Sequence, residues 1–174
     1  MLKIYTDGSA LANQKNADAG YAYFIPKLNI LDGGYMLGTN NIGELTAIQK
    51  VLGLMYQMKN IVEDRKLEII TDSEYAILVL TKPAKLKANV ELINSIKTLK
   101  KKLEQEGFEI AFRHVGAHGS VVEGQTEADT EGNATVDKIA NNMARHKGNY
   151  FVFIDGNGRF GFNFNPSIQP KFKD

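Results

Sequence analysis

Four acidic residues stand where an acid is either structural punctuation or chemistry: Asp7 in YTDGS, Glu44 in TNNIGEL, Asp72 in IITDSEYA and Asp137 in GNATVDKIA. Asp72 poses the question most sharply. It ends an apolar, β-branched run, and a charge at the tip of a buried strand is costly unless something offsets its desolvation. Each acid has an ordinary explanation when read singly. Asp-Gly at 7–8 is a common turn pair, and Asn41-x-x-Glu44 fits a capping-box variant. Asp72 can cap a helix starting at Ser73, and Asp137 is unremarkable as a solvated charge in mid-helix. Read together they suggest more. Ionised carboxylates gathered at one point repel strongly, and divalent cations that prefer oxygen ligands, Mg²⁺ or Mn²⁺, are the natural remedy. Four acids suit a pair of metals ~4 Å apart, arranged for in-line phosphoryl chemistry.

The elements that must position these acids follow from hydrophobic periodicity. LKIYT (2–6), AGYAYFIP (19–26) and NILDGGYML (29–37) read as strands, with DGS after the first as a turn signal. NNIGELTAIQKVLGLMYQMKN reads as a helix with Leu45, Ile48, Leu52 and Met55 on one face. KLEIIT (66–71) is a strand, and a short helix runs from Ser73 to about Leu80 before Pro83. A long helix follows over NVELINSIKTLKKKLEQEG, its core stripe being Val90, Ile93, Ile96 or Lys97, Leu99 and Leu103. FEIAFRHV (108–115) is a strand and NATVDKIANNMARH a last helix, with Gly119 to Gly132 between them expected as a flexible, solvated acidic loop.

Three early strands can pair as an antiparallel meander, and the two later ones, reached by right-handed helical crossovers, as parallel neighbours. The expected fold is α/β: a mixed five-stranded sheet, three antiparallel plus two parallel strands, flanked by helices. Pairing the first and fourth strands in parallel brings Asp7 and Asp72 together at the edge where open α/β sheets gather functional groups. The tail, GNYFVFIDGNGRFGFNFNPSIQPKFKD, reads as a C-terminal β-hairpin around DGNG. Its alternating Phe151, Phe153, Phe160, Phe162 and Phe164 suit either packing on the main domain or a base-stacking surface.

Bulk properties narrow the class. The 174 residues suffice for one well-buried core, and ordinary hydrophobic and charged fractions argue against disorder and membrane spanning. A net charge of +1 argues against a broad, sequence-independent polyanion binder while leaving room for a local basic patch. With no cysteine, metal ligands must be oxygen or imidazole, in keeping with a reducing, cytoplasmic setting. A strand from the second residue leaves no room for a signal peptide.

In this order and placement, YTDGSA, TNNIGEL, IITDSEYA, HVGAHG (with His118) and GNATVDKIA resemble ribonuclease H of type 1. The resemblance covers residues 1–147 as a catalytic domain and leaves 148–174 as an aromatic hairpin extension. It implies a ribonuclease H-like fold and an endonuclease that hydrolyses the RNA strand of RNA–DNA hybrids, leaving 5′-phosphate and 3′-hydroxyl ends. It further implies two Mg²⁺ ions, replaceable by Mn²⁺, held by Asp7, Glu44, Asp72 and Asp137. Asn40 and Asn41, with backbone near Gly8 and Ser9, would contact the minor groove and the 2′-hydroxyls that distinguish RNA from DNA. Thr39 and Asn13 would hold a phosphate of the DNA strand, Asn16 competing for the second role because SALANQKNADAG is long. His118 would carry a proton or help product leave, with His114 as its rival. The expected partner is a hybrid duplex bound by a monomer, with no membrane involved.

Two departures from the family stand out. Bacterial members usually carry a basic, Trp-rich protrusion between two central helices. Here that region is only TKPAKLKANVE and the chain has no Trp. Lys82, Lys85 and Lys87 would do part of that work, while Lys97, Lys100 and Lys101 read equally well as a solvated helix face. Weaker, strongly salt-dependent hybrid binding is therefore expected. The aromatic tail is the second departure. The rival functions are another ribonuclease H-fold nuclease or a DNA-strand transferase, which also use clustered carboxylates, and an inactive nucleic-acid binding module.

Overall fold

Alternation along the first strand divides the core into two layers. Leu2 and Ile4 join one apolar cluster, with residues of the first three helices, whereas Tyr5 joins a second, with Val136 and Ala140 of the last helix. The computed structural model describes the backbone of residues 1–83, 85–155 and 158–163, and side chains for 1–83 and 85–149. Strands β1 (Leu2–Ala10), β2 (Asp18–Ile25) and β3 (Ile30–Leu37) form the antiparallel meander, a short 3₁₀ turn at Pro26–Leu28 joining the last two. Helix α1 (Asn40–Gln57) then leads to β4 (Lys66–Thr71), and α2 (Glu74–Thr81) and α3 (Val90–Gln105) lead to β5 (Glu109–His114). Both β4 and β5 are parallel additions, giving the order β5-β4-β1-β2-β3 across the expected mixed sheet. Helix α4 (Glu127–His146) closes the second face.

The α1 stripe is as expected: Leu45, Ile48, Leu52 and Met55 are fully buried, each stabilising by about 1.5–3 kcal/mol. In α3 the buried positions are Ile93, Ile96 and Leu103, while Val90 is 43% exposed at the helix start. Among the described residues, no helix is long and apolar enough to cross a membrane.

Three local expectations are corrected. The DGS triplet does not end β1, because β1 runs to Ala10, with Asp7 opposite Ala22 and Ala10 opposite Ala19 on β2. Parallel pairing with β4 stops earlier, at Tyr5 opposite Ile70, so Asp7 lies on the part of β1 that outruns its neighbour. The capping assignments also move. Thr39 caps α1 by accepting from the Ile42 N–H, and Ser73 caps α2 by accepting from Ala76, which leaves both Glu44 and Asp72 free of capping duty. Finally, α4 begins at Glu127, where Thr126 and Asp129 form a reciprocal capping box, so the second half of the supposed flexible loop is helix.

Strands β6 (Asn149–Asp155) and β7 (Gly158–Asn163) form the hairpin. β6 pairs with β3, Ile30 opposite Phe153, and so extends the sheet to seven strands. The choice between packing and stacking for the tail's rings concerns side chains outside the described residues.

Candidate active site: an acidic pocket at the sheet edge

Close approach of backbone sets the geometry. A side chain at Gly8 would put its Cβ 2.1 Å from the Glu44 nitrogen, and one at Gly43 would meet the Gly20 carbonyl oxygen at 2.8 Å. The paired glycines let the first turn of α1 rest directly on β1 and β2, which swings Glu44 beside Asp7. Asp72 arrives from the end of β4, before Ser73 starts α2. The result is a cluster in which one carboxylate oxygen each from Asp7, Glu44 and Asp72 lies within 4.8 Å of the others. Asp137, from the middle of α4, lines the same cavity of about 520 Å³.

Burial and mutual repulsion govern the chemistry. Asp7 is 3% and Glu44 2% exposed. Burial, followed by the neighbouring Asp72 charge, raises the Asp7 carboxyl well above the usual range. Burial, then the charges of Asp7 and Asp72, do the same for Glu44. Asp7 Oδ1 accepts from the Gly8 N–H at 2.8 Å, which offsets only part of this cost. Among the described residues lining the cavity there is no Lys or Arg, and Glu74 adds another acid. Glu44 Oε2 is buried without a hydrogen-bond partner among the described residues. An all-oxygen donor set with an orphaned acceptor and no counter-charge from the described residues fits a hard divalent cation.

The residues singled out from sequence fall into two groups. Asp7, Gly8, Ser9, Asn40, Asn41, Glu44, Asp72, His118 and Asp137 all line the cavity. Asn13, exposed in the β1–β2 connection, and Thr39, at the α1 cap, do not. His118 is exposed on the loop after β5, whereas its rival His114 sits at the end of β5 with Nε2 3.2 Å from the Asp72 carbonyl.

Two asparagines at the site escaped sequence reasoning. Asn141 donates to Asp137 Oδ1 at 3.0 Å and accepts from the Ser9 hydroxyl at 2.8 Å, so it ties the α4 acid to β1. Asn133 donates to Asp72 Oδ2 at 3.4 Å. Both lie four residues from Asp137, one turn before and one after, and that spacing was the available signal.

Comparison with known proteins agrees with this architecture. The model of the RNase H family matches residues 1–145. Ribonuclease H of Tropheryma whipplei (strain Twist) is 39% identical over 77 residues, a match covering 44% of this chain and 44% of that relative. The chain thus spans under half the length of this relative in the matched region. Among solved structures, LC11-RNase H1, isolated from compost by a metagenomic approach, superposes with TM-score 0.59 at 22% identity, over 80% of this chain and 95% of that one. LC11-RNase H1 in complex with RNA/DNA hybrid gives 0.58 at 23% identity, over 81% and 94%. RNase H1 of the halophilic archaeon Halobacterium salinarum NRC-1 gives 0.53 at 19%, over 81% and 95%. These structures agree with the fold, and the family match extends across the whole acidic pocket: the chain belongs to the RNase H family.

Proposed function

We propose that this protein is an endonuclease of the type 1 kind, cleaving the RNA strand of RNA–DNA hybrids by hydrolysis and leaving 5′-phosphate and 3′-hydroxyl ends. The observation that carries the reading is the uncompensated cluster of Asp7, Glu44 and Asp72, with Asp137 on the same cavity wall. These four side chains are the ligands for two Mg²⁺ ions, with Mn²⁺ able to substitute. A pair of such ions supplies the positive charge that the scissile phosphate and its attacking water need.

The chain's own residues do the rest. Asn141 holds the Asp137 carboxylate toward the pocket. Asn40, Asn41 and the backbone of Gly8 and Ser9 read the 2′-hydroxyl side of the hybrid. Thr39 and Asn13 take the DNA-strand phosphate away from the reaction centre, which accords with their lying outside the cavity. His118, exposed at the cavity rim, moves a proton or helps the product leave. Lys82, Lys85, Lys87 and Lys101 are exposed on the α2–α3 side, available to the hybrid backbone. Residues 1–147 form the catalytic unit, active as a cytoplasmic monomer, with 148–174 as an extension.

A panel of RNA–DNA hybrid, duplex DNA and duplex RNA, each in Mg²⁺ and in Ca²⁺, tests the reading. Hybrid cleavage in Mg²⁺ alone is expected. Equal cleavage of duplex DNA would favour a strand-transferase or general nuclease, and no cleavage by folded protein would leave a binding module.

A further inference from the structure

The loop between β5 and α4 is drawn shut by one side chain. Gln125 Oε1 accepts from the Gly116 N–H at 2.9 Å and from the Val122 N–H at 3.2 Å. The Gln125 Nε2 group donates to the Thr130 hydroxyl at 2.9 Å, in the first turns of α4. A single amide thus joins the two sides of the loop neck to each other and to the helix that carries Asp137. The enclosed segment is folded tightly on itself, because a Cβ on Gly116 would stand 2.2 Å from the Ser120 carbonyl oxygen. His118 lies just beyond this neck with φ of 48°, a left-handed conformation that costs a non-glycine residue energy and persists only where the surroundings enforce it. Its loop and α4 together enclose a small cavity of about 130 Å³, with His118, Gln125 and Asp137 all on its wall.

We infer that Gln125 is a positioning residue for His118: it holds the loop so that the imidazole faces the carboxylate pocket at a fixed distance from α4. The inference rests on the role proposed above for His118 and deepens it. A loop of this length left open would sample many positions, and misplacing a proton carrier by an ångström is expensive in rate. Gln125 itself does not line the carboxylate cavity, so its effect must travel through the loop.

The test is a double-mutant cycle on the full chain with hybrid substrate in Mg²⁺. Gln125→Ala is expected to lower kcat about tenfold while leaving KM within about twofold. In a His118→Ala background the same change is expected to have almost no further effect, a non-additivity that a merely structural role would not produce. Gln125→Glu, which keeps the acceptor for Gly116 and Val122, should recover part of the rate. Thr130→Val, which removes the tether to Gln125 together with a 3.3 Å hydroxyl bond to the Thr126 carbonyl, serves as a milder probe if Gln125→Ala folds poorly. Wild-type kcat in both Gln125→Ala and Thr130→Val, or a loss that adds fully to that of His118→Ala, overturns the clasp. Wild-type turnover in His118→Ala itself would instead overturn the role of the histidine, and the two failures are distinguishable.

Discussion

Asp7 and Asp129 are both buried aspartates, 3% and 0% exposed, one on β1 and the other hydrogen-bonded to it, yet their carboxyls shift in opposite directions. Tyr5 of β1 donates to Asp129 Oδ1 at 2.9 Å, and two residues further along the same face Asp7 enters the acidic pocket. Burial pushes both carboxyls up. At Asp129 it is outweighed by Arg113, whose guanidinium forks onto both carboxylate oxygens at 3.0 Å, and by donation from the Thr126 N–H and Tyr5, so this acid titrates well below the usual range. Lys3 adds a further cation at 3.3 Å, and Glu68 accepts from the other side of Arg113 at 2.9 Å. At Asp7 nothing comparable arrives among the described residues, and the neighbours are themselves acids. Arg113 balances one buried anion, and no described residue balances the other. A buried acid with an internal counter-charge is scaffold. One among other acids, without such a partner, is the kind of group the proposed metal site requires.

The largest effect that would break this contrast is on turnover. Asp7→Asn should reduce hybrid cleavage at least about a thousandfold while the folded protein persists, because a ligand is lost and no packing is. Wild-type turnover in that variant would mean the cluster is not the reaction centre. Asp129→Ala should do the converse. It strands Arg113 without its fork and is expected to cost about 3–5 kcal/mol of stability in a denaturant titration, with the surviving folded fraction still cleaving. Removing Asp129 together with Arg113 should cost less than the sum.

Smaller effects sharpen the comparison. Asn141→Ala frees the Asp137 carboxylate, and the Mg²⁺ concentration for half-maximal activity should rise about 10–100-fold. An unchanged metal requirement would reduce the Ser9–Asn141–Asp137 link to packing. The most subtle effect concerns acid and metal-free protein. Raised carboxyls at Asp7 and Glu44 mean that the native state binds more protons than the unfolded chain above the ordinary carboxylate range, so repulsion destabilises at neutral pH and is relieved as pH falls. Asp7→Asn should therefore melt higher than wild type near pH ~7, with the difference vanishing below pH ~4. The depressed Asp129 behaves oppositely: its contribution is complete above the ordinary aspartate range and is lost only as acid reaches its lowered pKa. A scanning-calorimetry series across pH, for wild type and each single variant, separates the two signs.

Much of the fold was readable because it depends on short-range pattern. The α1 stripe and the β4–α2 junction come straight from periodicity and caps, and the parallel pairing of β1 with β4 follows from the crossover rule. The carboxylates were readable as a set. Other features were mistaken for local punctuation when their cause was distant. Gly8 looked like a turn residue and proves to be the space into which α1 fits, a contact with a residue 36 positions away. Asp129 looked like one more charge in an acidic loop, since its partner Arg113 lies on another element. The capping box Thr126-x-x-Asp129 was visible in the sequence and would have extended α4 correctly.

The sequence by itself determined which residue types are present and in what order: acids after strand runs or within helices, a histidine past the fifth strand, glycines at 8 and 43, and no cysteine. Those facts are local, and hydrophobic period, turn chemistry and capping are enough to read them. Only the tertiary structure decided which acids are neutralised by the chain and which are not, and which side chain closes the His118 loop. Electrostatic energy depends on distance and burial in space, and the fold alone sets both when it folds Arg113 onto Asp129 and brings Asp7 no such partner among the described residues.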